Sequence, residues 1–221
     1  RARVYLMQKG NAGAAEKDLA MAQKLPGCAP EQLQGLLAQL SFAKKDLPGA
    51  IRLERQIYAT NRSSADSATR LATKLSTAGK LGEARGVLMD ALRVHHKDYV
   101  LHLSLAFVED KRKDFPAALK AYEAAHANMP ATATESERGS IYYRLGQLYW
   151  DRKDYEKAIA ITREAIKASP NVISSRQELI LHLMQLKRYD EAEDELKLAA
   201  NLDPKNTFHH TGLAIVYASV V

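Results

Sequence analysis

The residues best suited to chemistry in this sequence are seven histidines and a single cysteine, and neither set forms a catalytic pattern. His95 and His96 are adjacent, as are His209 and His210, and adjacent residues on a helix do not share a face. The sequence contains no HExxH signature, in which two histidines one helical turn apart bind zinc. Cys28 lies in a predicted turn, with no recognisable base to activate it as a nucleophile. We therefore predict no enzyme activity, no catalytic residues, no metal site and no cofactor.

Acidic residues and glycines are arranged in ways that also disfavour catalysis. Carboxylates cluster at 193–196 and 108–110, on predicted turns or outer helix faces where water solvates them. General acid–base catalysis instead needs carboxylates held across a cleft with shifted pKa values. The eleven glycines are dispersed, and no GxxxxGK phosphate-binding loop is present. One cysteine cannot form an internal disulfide or supply a zinc site built on cysteines.

A repeat of 34 residues organises the elements that carry these side chains. Such a period indicates stacked pairs of antiparallel helices. The clearest copy, 139–171, has two apolar stripes at helical spacing separated by polar residues 151–154, which predicts a helix, a turn and a second helix. The register is seen in four residues that return after one period: Tyr155, Ala158, Ala165 and Pro170 recur as Tyr189, Ala192, Ala199 and Pro204. An ordinary helical bundle with accidental periodicity is the disfavoured alternative.

These residues resemble the tetratricopeptide repeat, whose pattern is an aromatic residue, Leu-Gly, Tyr, two alanines and a proline. The matching residues in the clearest copy are Tyr142, Leu145, Gly146, Tyr149, Ala158, Ala165 and Pro170. The resemblance implies an all-α fold, a right-handed superhelical solenoid of antiparallel helix pairs.

The repeat boundaries follow from the same register. A degraded partial repeat covers 1–30, the first helix of a truncated repeat covers 207–221, and five full repeats cover 31–64, 65–98, 99–138, 139–172 and 173–206. The third full repeat is six residues longer than the others, and we assign the excess to a polar loop extension near 131–138. Because the sequence begins without methionine and ends inside a repeat, we expect it to be part of a longer protein.

Charge and hydropathy disfavour two other classes of partner. The net charge is +6, but the densest basic cluster, Lys111–Lys113, is flanked by Asp110 and Asp114. A protein that reads nucleic acid normally carries a concentrated basic stripe. No apolar run approaches the roughly 18 residues needed to span a membrane. We therefore predict a protein or peptide partner, no nucleic acid, and no direct membrane insertion of this segment.

The resemblance also implies where a partner binds, since first helices line a concave groove in such arrays. An amphipathic helix or an extended apolar peptide would suit this groove, because aromatic residues and methionine are favoured at interfaces. The alternative is that these side chains pack against the loop at 131–138 or against a continuation of the chain. The predicted groove residues are Leu103, Phe107, Tyr143, Gln147, Trp150, Leu181, Met184 and Phe208.

We therefore expect a protein–protein interaction scaffold. The resemblance to long bacterial tetratricopeptide proteins extends to those that assemble at the cell envelope, including in exopolysaccharide export, and by this analogy favours the periplasm over the cytoplasm. Two alternatives stay open: a regulatory or carrier module of a larger enzyme, and an array that self-associates through its uncapped last helix. Co-chaperones of this family bind acidic tails through Lys, Arg and Asn residues. That function is disfavoured, because the corresponding positions hold Gly35, Leu36, Gln39, Arg70, Val100 and Ser104.

Overall fold

The computed structural model describes residues 12–22 and 30–219, and within these ranges every regular element is an α-helix. Ten consecutive helices, from Pro30–Ala43 to Tyr189–Leu202, form five pairs, and a three-residue turn joins the two helices of each pair. This arrangement confirms the predicted all-α solenoid of helix pairs. The helices are α1 (Ala12–Ala22), α2 (Pro30–Ala43), α3 (Leu47–Thr60), α4 (Ala65–Thr77), α5 (Leu81–Val94), α6 (Tyr99–Lys111), α7 (Phe115–Ala127), α8 (Glu135–Asp151), α9 (Tyr155–Ala168), α10 (Ile173–Gln185), α11 (Tyr189–Leu202) and α12 (Thr207–Ser219).

The helices are distributed over two compact units, the first ending at Ala125 and the second beginning at His126. None of the helices in the described ranges is long and apolar enough to cross a lipid bilayer.

Each helix pair turns through the same backbone structure. In the turn between α2 and α3, the amide of Lys45 donates to the carbonyl of Phe42 (3.0 Å) and the amide of Asp46 donates to the carbonyl of Ser41 (2.8 Å). Equivalent bonds close the other four turns, and they satisfy carbonyls that the end of a helix would otherwise leave free. The central residue has a left-handed backbone, with φ between 58° and 75°, in all five turns: Lys45, Gly79, Lys113, Lys153 and Lys187.

A capping box begins α8 earlier than the sequence prediction. Thr134 Oγ1 accepts a hydrogen bond from the amide of Glu137 (3.2 Å), and Glu137 Oε2 accepts one from the amide of Thr134 (2.9 Å). Together they satisfy amides that the first turn of a helix leaves free. The predicted loop extension is therefore wrong for residues 135–138, which are helical and lengthen α8 to 17 residues.

Small residues let the two helices of a repeat approach each other. A Cβ atom added to Gly146 on α8 would lie 3.4 Å from Thr162 Oγ1 and 3.6 Å from Ile161 Cγ2 on α9. Ala158 on α9 is fully buried. The second unit then buries a continuous cluster drawn from α9 to α12: Ile159, Leu179, Ile180, Leu183, Ala192, Leu196, Ala199 and Val216.

Several charged side chains are also buried between helices, each beside an opposite charge. Arg70 Nε donates to Glu54 Oε2 (3.2 Å), and Arg85 Nε donates to Glu109 Oε1 (2.7 Å), both in the first unit. In the second unit, Arg176 on α10 pairs with a carboxylate on α11, that of Glu195. Such pairing offsets the cost of removing a charge from water.

Candidate protein-binding site

The structure divides the predicted groove residues between the two units. Leu103 and Phe107 lie on α6 in the first unit, and the other six lie on α8, α10 and α12 in the second. Leu103 is only 7% exposed, so it packs inside its unit and leaves little surface for a partner. The prediction that Leu103 lines the binding surface is therefore wrong. Met184 and Phe208 are half-buried and pack against the hydrophobic cluster of the second unit, so only part of each side chain is accessible.

In the first unit, Phe107 lines a pocket of about 310 Å³ together with residues of α4 and α6 such as Thr73 and Ser104. Its ring is 45% exposed. The ring meets Tyr122 edge to face, with the centroids 5.8 Å apart, and the Tyr122 hydroxyl donates to Asp110 Oδ2 (3.0 Å). Phe107 therefore presents an apolar surface held in place by its neighbours.

In the second unit, a pocket of about 400 Å³ lies between α8 and α10, and we call it the α8–α10 pocket. Three of the predicted residues meet there. The lining residues from α8 are Gln147, Trp150 and Asp151, and those from α10 are Glu178, Leu181, His182 and Gln185. This lining combines two carboxylates, two amides, a histidine and two apolar walls.

Trp150 forms one wall of this pocket and is held by two other rings. The indole stacks on the imidazole of His182, with the centroids 3.9 Å apart and the planes 7° from parallel. Tyr155 contacts it at 4.7 Å with the planes at 55°. Trp150 is therefore partly a packing residue, which the sequence did not indicate.

Gln147 is oriented by hydrogen bonds along α8. Its Nε2 donates to the Tyr143 hydroxyl (2.6 Å), and its Oε1 accepts from Arg144 Nη1 (2.9 Å). Tyr143 is 56% exposed, so it extends the pocket wall into an accessible aromatic surface. Leu181, on the opposite wall, is 47% exposed.

Glu178 and His182 complete the pocket, and sequence reasoning missed both. Burial raises the pKa of the Glu178 carboxyl and lowers the pKa of the His182 imidazole, because each charged form is separated from water. His182 corresponds to Leu148 of the preceding repeat, one period earlier. A histidine at a position occupied by an apolar residue in the neighbouring repeat was therefore the available signal.

The other candidate chemical groups form no site in the described part of the chain. No three His, Cys, Asp or Glu side chains among residues 12–22 and 30–219 lie close enough to hold a metal ion. Cys28 lies outside the described residues. His209 is fully buried on α12 and its ring packs against Phe208, at 5.6 Å between centroids.

Comparison with known proteins confirms the resemblance found in the sequence. The family model of the tetratricopeptide repeat matches residues 139–172 and 183–206. The crystal structure of MamA protein is similar, with a TM-score of 0.65 and 20% identity over 79% of this chain and 92% of that one. The crystal structure of YrrB, described as a tetratricopeptide repeat protein with an unusual peptide-binding site, has a TM-score of 0.61 and 17% identity over 75% of this chain and 82% of that one. At these identities the likeness shows the fold.

Two curated relatives match over shorter segments. Type II methyltransferase M.CeqI of Rhodococcus hoagii is 28% identical over 102 residues, which are 43% of this chain and 20% of that protein. Protein FlbA of Caulobacter vibrioides is 31% identical over 118 residues, which are 52% of this chain and 19% of that protein. The chain thus spans about a fifth of the length of the curated relatives it matches.

Proposed function

Because this chain is a tetratricopeptide repeat protein, we propose that it is a non-catalytic scaffold that binds a segment of a partner protein on the face that carries the α8–α10 pocket. Proteins of this fold are generally scaffolds, and their first helices line the binding surface. The observation that carries the proposal is the pocket itself, with the half-exposed side chains of Tyr143 and Leu181 beside it. Exposed apolar side chains around a concave site are typical of peptide-binding surfaces.

The cellular setting that we propose is assembly at a bacterial envelope, in exopolysaccharide export. Its support is the similarity of the Ala- and Lys-rich repeats to long bacterial tetratricopeptide proteins, which is an argument by analogy. Recovery of an export component as the bound partner would support this setting. A partner from an unrelated cytoplasmic process would contradict it.

A second candidate function is an interaction module within a larger enzyme. The match to M.CeqI favours it, since the matched segment is a fifth of that methyltransferase. In this case the pocket binds a segment of the enzyme or of its partner, and catalysis belongs to another domain.

A third candidate, self-association through α12, draws support from Ile215 and Tyr217, which are both about half exposed. Sedimentation over a wide concentration range tests it, and a constant monomer mass would contradict it.

The proposed scaffold function is tested with a matched pair of leucines. Leu181 on α10 and Leu198 on α11 are 47% and 50% exposed in the same unit, but only Leu181 lines the pocket. A partner is first captured with the wild-type chain from an extract of the source organism, and its affinity for the purified chain is then measured. We expect Leu181→Ser to weaken binding about tenfold, or roughly 1.4 kcal/mol, and Leu198→Ser to leave it unchanged.

The two variants also serve as each other's folding control, because both remove a leucine of similar exposure. Circular dichroism should show unchanged helicity for both. Equal binding by all three proteins would place the partner elsewhere and overturn the proposed site. Equal weakening by the two variants would indicate a general effect on the fold rather than a binding surface.

A further inference from the structure

The α8–α10 pocket has an unbalanced charge. Two of its lining residues are carboxylates, Asp151 on α8 and Glu178 on α10, and none of the described residues that line it is lysine or arginine. Carboxylates accept hydrogen bonds and attract cations, so this lining favours a positively charged ligand.

Glu178 differs from the two carboxylates that are most deeply buried among the described residues. Glu54 and Glu109 are almost fully buried, and each accepts a hydrogen bond from an arginine. Glu178 has no ion pair and no hydrogen bond in the described part of the chain, and burial alone displaces its pKa. Glu178 is only partly buried and lines the pocket, and partial removal of a carboxylate from water without a partner raises the free energy of the fold, though by less than full burial would. Such a cost is typical of a group retained for binding rather than for stability.

His182 does not supply the missing positive charge. It is 9% exposed, its Nδ1 atom is buried and finds no hydrogen-bond partner among the residues that the structure describes, and its ring is stacked on Trp150. Burial lowers the pKa of its imidazole, so the ring is neutral near pH 7. The described residues that line the pocket therefore include a carboxylate without an ion pair and a neutral buried histidine but no lysine or arginine, and Arg144 touches the lining through Gln147 Oε1 (2.9 Å).

The walls are suited to a side chain that is apolar along its length and charged at its end. Trp150 and Leu181 provide apolar surface, and the amide of Gln185 provides a further acceptor. Lysine and arginine have this character, since they bury an aliphatic stem and direct a cationic head to polar groups.

We propose that the α8–α10 pocket binds a lysine or arginine side chain of the partner segment, with the aliphatic stem between Trp150 and Leu181 and the cationic head on Glu178 and Asp151. The inference rests on the proposed scaffold function, because the partner segment delivers the side chain. A charge-assisted hydrogen bond to a partly buried carboxylate makes this contact selective for cationic residues.

Trp150 is the only tryptophan of the chain, so its indole N–H gives a single reporter signal at the pocket. The 221-residue chain is titrated with blocked pentapeptides, acetyl-Ala-Leu-Xaa-Leu-Ala-amide, in which Xaa is lysine, arginine, norleucine or glutamate. We expect saturable shifts of the indole resonance with lysine or arginine. Norleucine keeps the aliphatic stem without the charge. We expect the norleucine and glutamate peptides to bind at least about tenfold more weakly than the lysine and arginine peptides.

Glu178→Gln tests the charge at nearly constant shape. We expect it to reduce the affinity for the lysine and arginine peptides about tenfold. Glu135→Gln is the matched control, since Glu135 is an exposed carboxylate in the first turn of α8. This variant should bind the lysine and arginine peptides with the affinity of the wild type. Equal binding of norleucine and lysine, no peptide-induced shift, or an unchanged affinity in Glu178→Gln would each overturn the inference.

The outcome separates this inference from the proposed function. If the captured partner depends on Leu181 but not on Glu178, the scaffold function stands and the cationic pocket is wrong. If the captured partner depends on neither residue, the proposed site itself fails. Dependence on both residues, together with selectivity for lysine or arginine, supports both.

Discussion

Glu178 shows how a single residue can make stability depend on pH. Burial raises its pKa in the folded chain above the ordinary value of 4.5. The folded state therefore binds a proton more readily than the unfolded state does. Stability from this group is fully present below pH 4.5 and is lost as the pH rises through the raised folded pKa.

We predict that Glu178→Gln raises the melting temperature at about pH 7.5, because glutamine removes a partly buried charge that has no ion pair among the described residues. The gain should disappear below pH 4.5, where the wild-type carboxyl is protonated. Thermal unfolding followed by circular dichroism at a series of pH values measures both effects. His182 and Asp151 line the same pocket and are present in both proteins, so the difference between the two melting temperatures isolates the effect of position 178.

Glu135→Gln is again the control: loss of a first-turn carboxylate removes a favourable interaction with the helix dipole, so its melting temperature at about pH 7.5 should stay level or fall rather than rise. A gain in Glu178→Gln that is the same on both sides of pH 4.5 would show that packing, rather than charge, is responsible.

At the scale of single residues, sequence reasoning found part of the candidate site. It placed Gln147, Trp150 and Leu181 on one surface, and these three line one pocket. It did not identify Glu178, because an acidic residue on a helix is usually solvated and only the packing of α8 against α10 buries this one. Leu103 was assigned to the groove by the same register, but neighbouring side chains bury it.

At the scale of elements, the turns between paired helices differ in one respect. Four of the five turns have a lysine in the left-handed conformation, and one has Gly79. The left-handed conformation costs a residue with a Cβ atom about 1–2 kcal/mol of folding free energy, whereas it costs glycine little. The backbone hydrogen bonds common to the five turns impose the left-handed conformation on lysine and glycine alike.

We therefore predict opposite effects for two substitutions in the first unit. Gly79→Ala should lower the free energy of unfolding by about 1 kcal/mol, and Lys113→Gly should raise it by about 0.5–1 kcal/mol, after allowing for the greater freedom of glycine in the unfolded chain. A Cβ atom at position 79 would meet no heavy atom within 4 Å, so the cost there is backbone strain alone. Urea unfolding measures both values. Changes of the same sign would rule out backbone strain as their cause.

The sequence predicted the helix pairs well, because apolar spacing and the final prolines depend on local geometry. It misplaced the start of α8, although Thr134 and Glu137 have the spacing of a capping box. The sequence prediction assigned the six residues in excess of the 34-residue period to a loop, and it therefore overlooked this capping signal. A fixed period thus locates repeats more reliably than it locates helix ends.

At the scale of the whole molecule, the general behaviour of repeat arrays matters: a repeat buries its apolar face on its neighbours, and stability is close to a sum of repeat and interface terms. Leu183 belongs to the hydrophobic cluster of the second unit, and Leu88 is buried on α5 of the first. Replacing either by alanine should cost about 2–5 kcal/mol, because each is fully buried. In such an array the loss should remain local rather than spread evenly over the chain.

We therefore predict reciprocal patterns of hydrogen exchange. Leu183→Ala should reduce protection of the amides of α9 to α12 and leave those of α3 to α5 near wild-type values, and Leu88→Ala should do the reverse. Mass spectrometry of peptides from the two units measures both variants under the same conditions. An equal loss of protection throughout the chain in both variants would mean that the two units unfold as one cooperative body. A ligand protects the amides that open together with its binding site. If loss of protection is confined to the unit that carries the substitution, a partner bound at the α8–α10 pocket should therefore stabilise the second unit without altering the first.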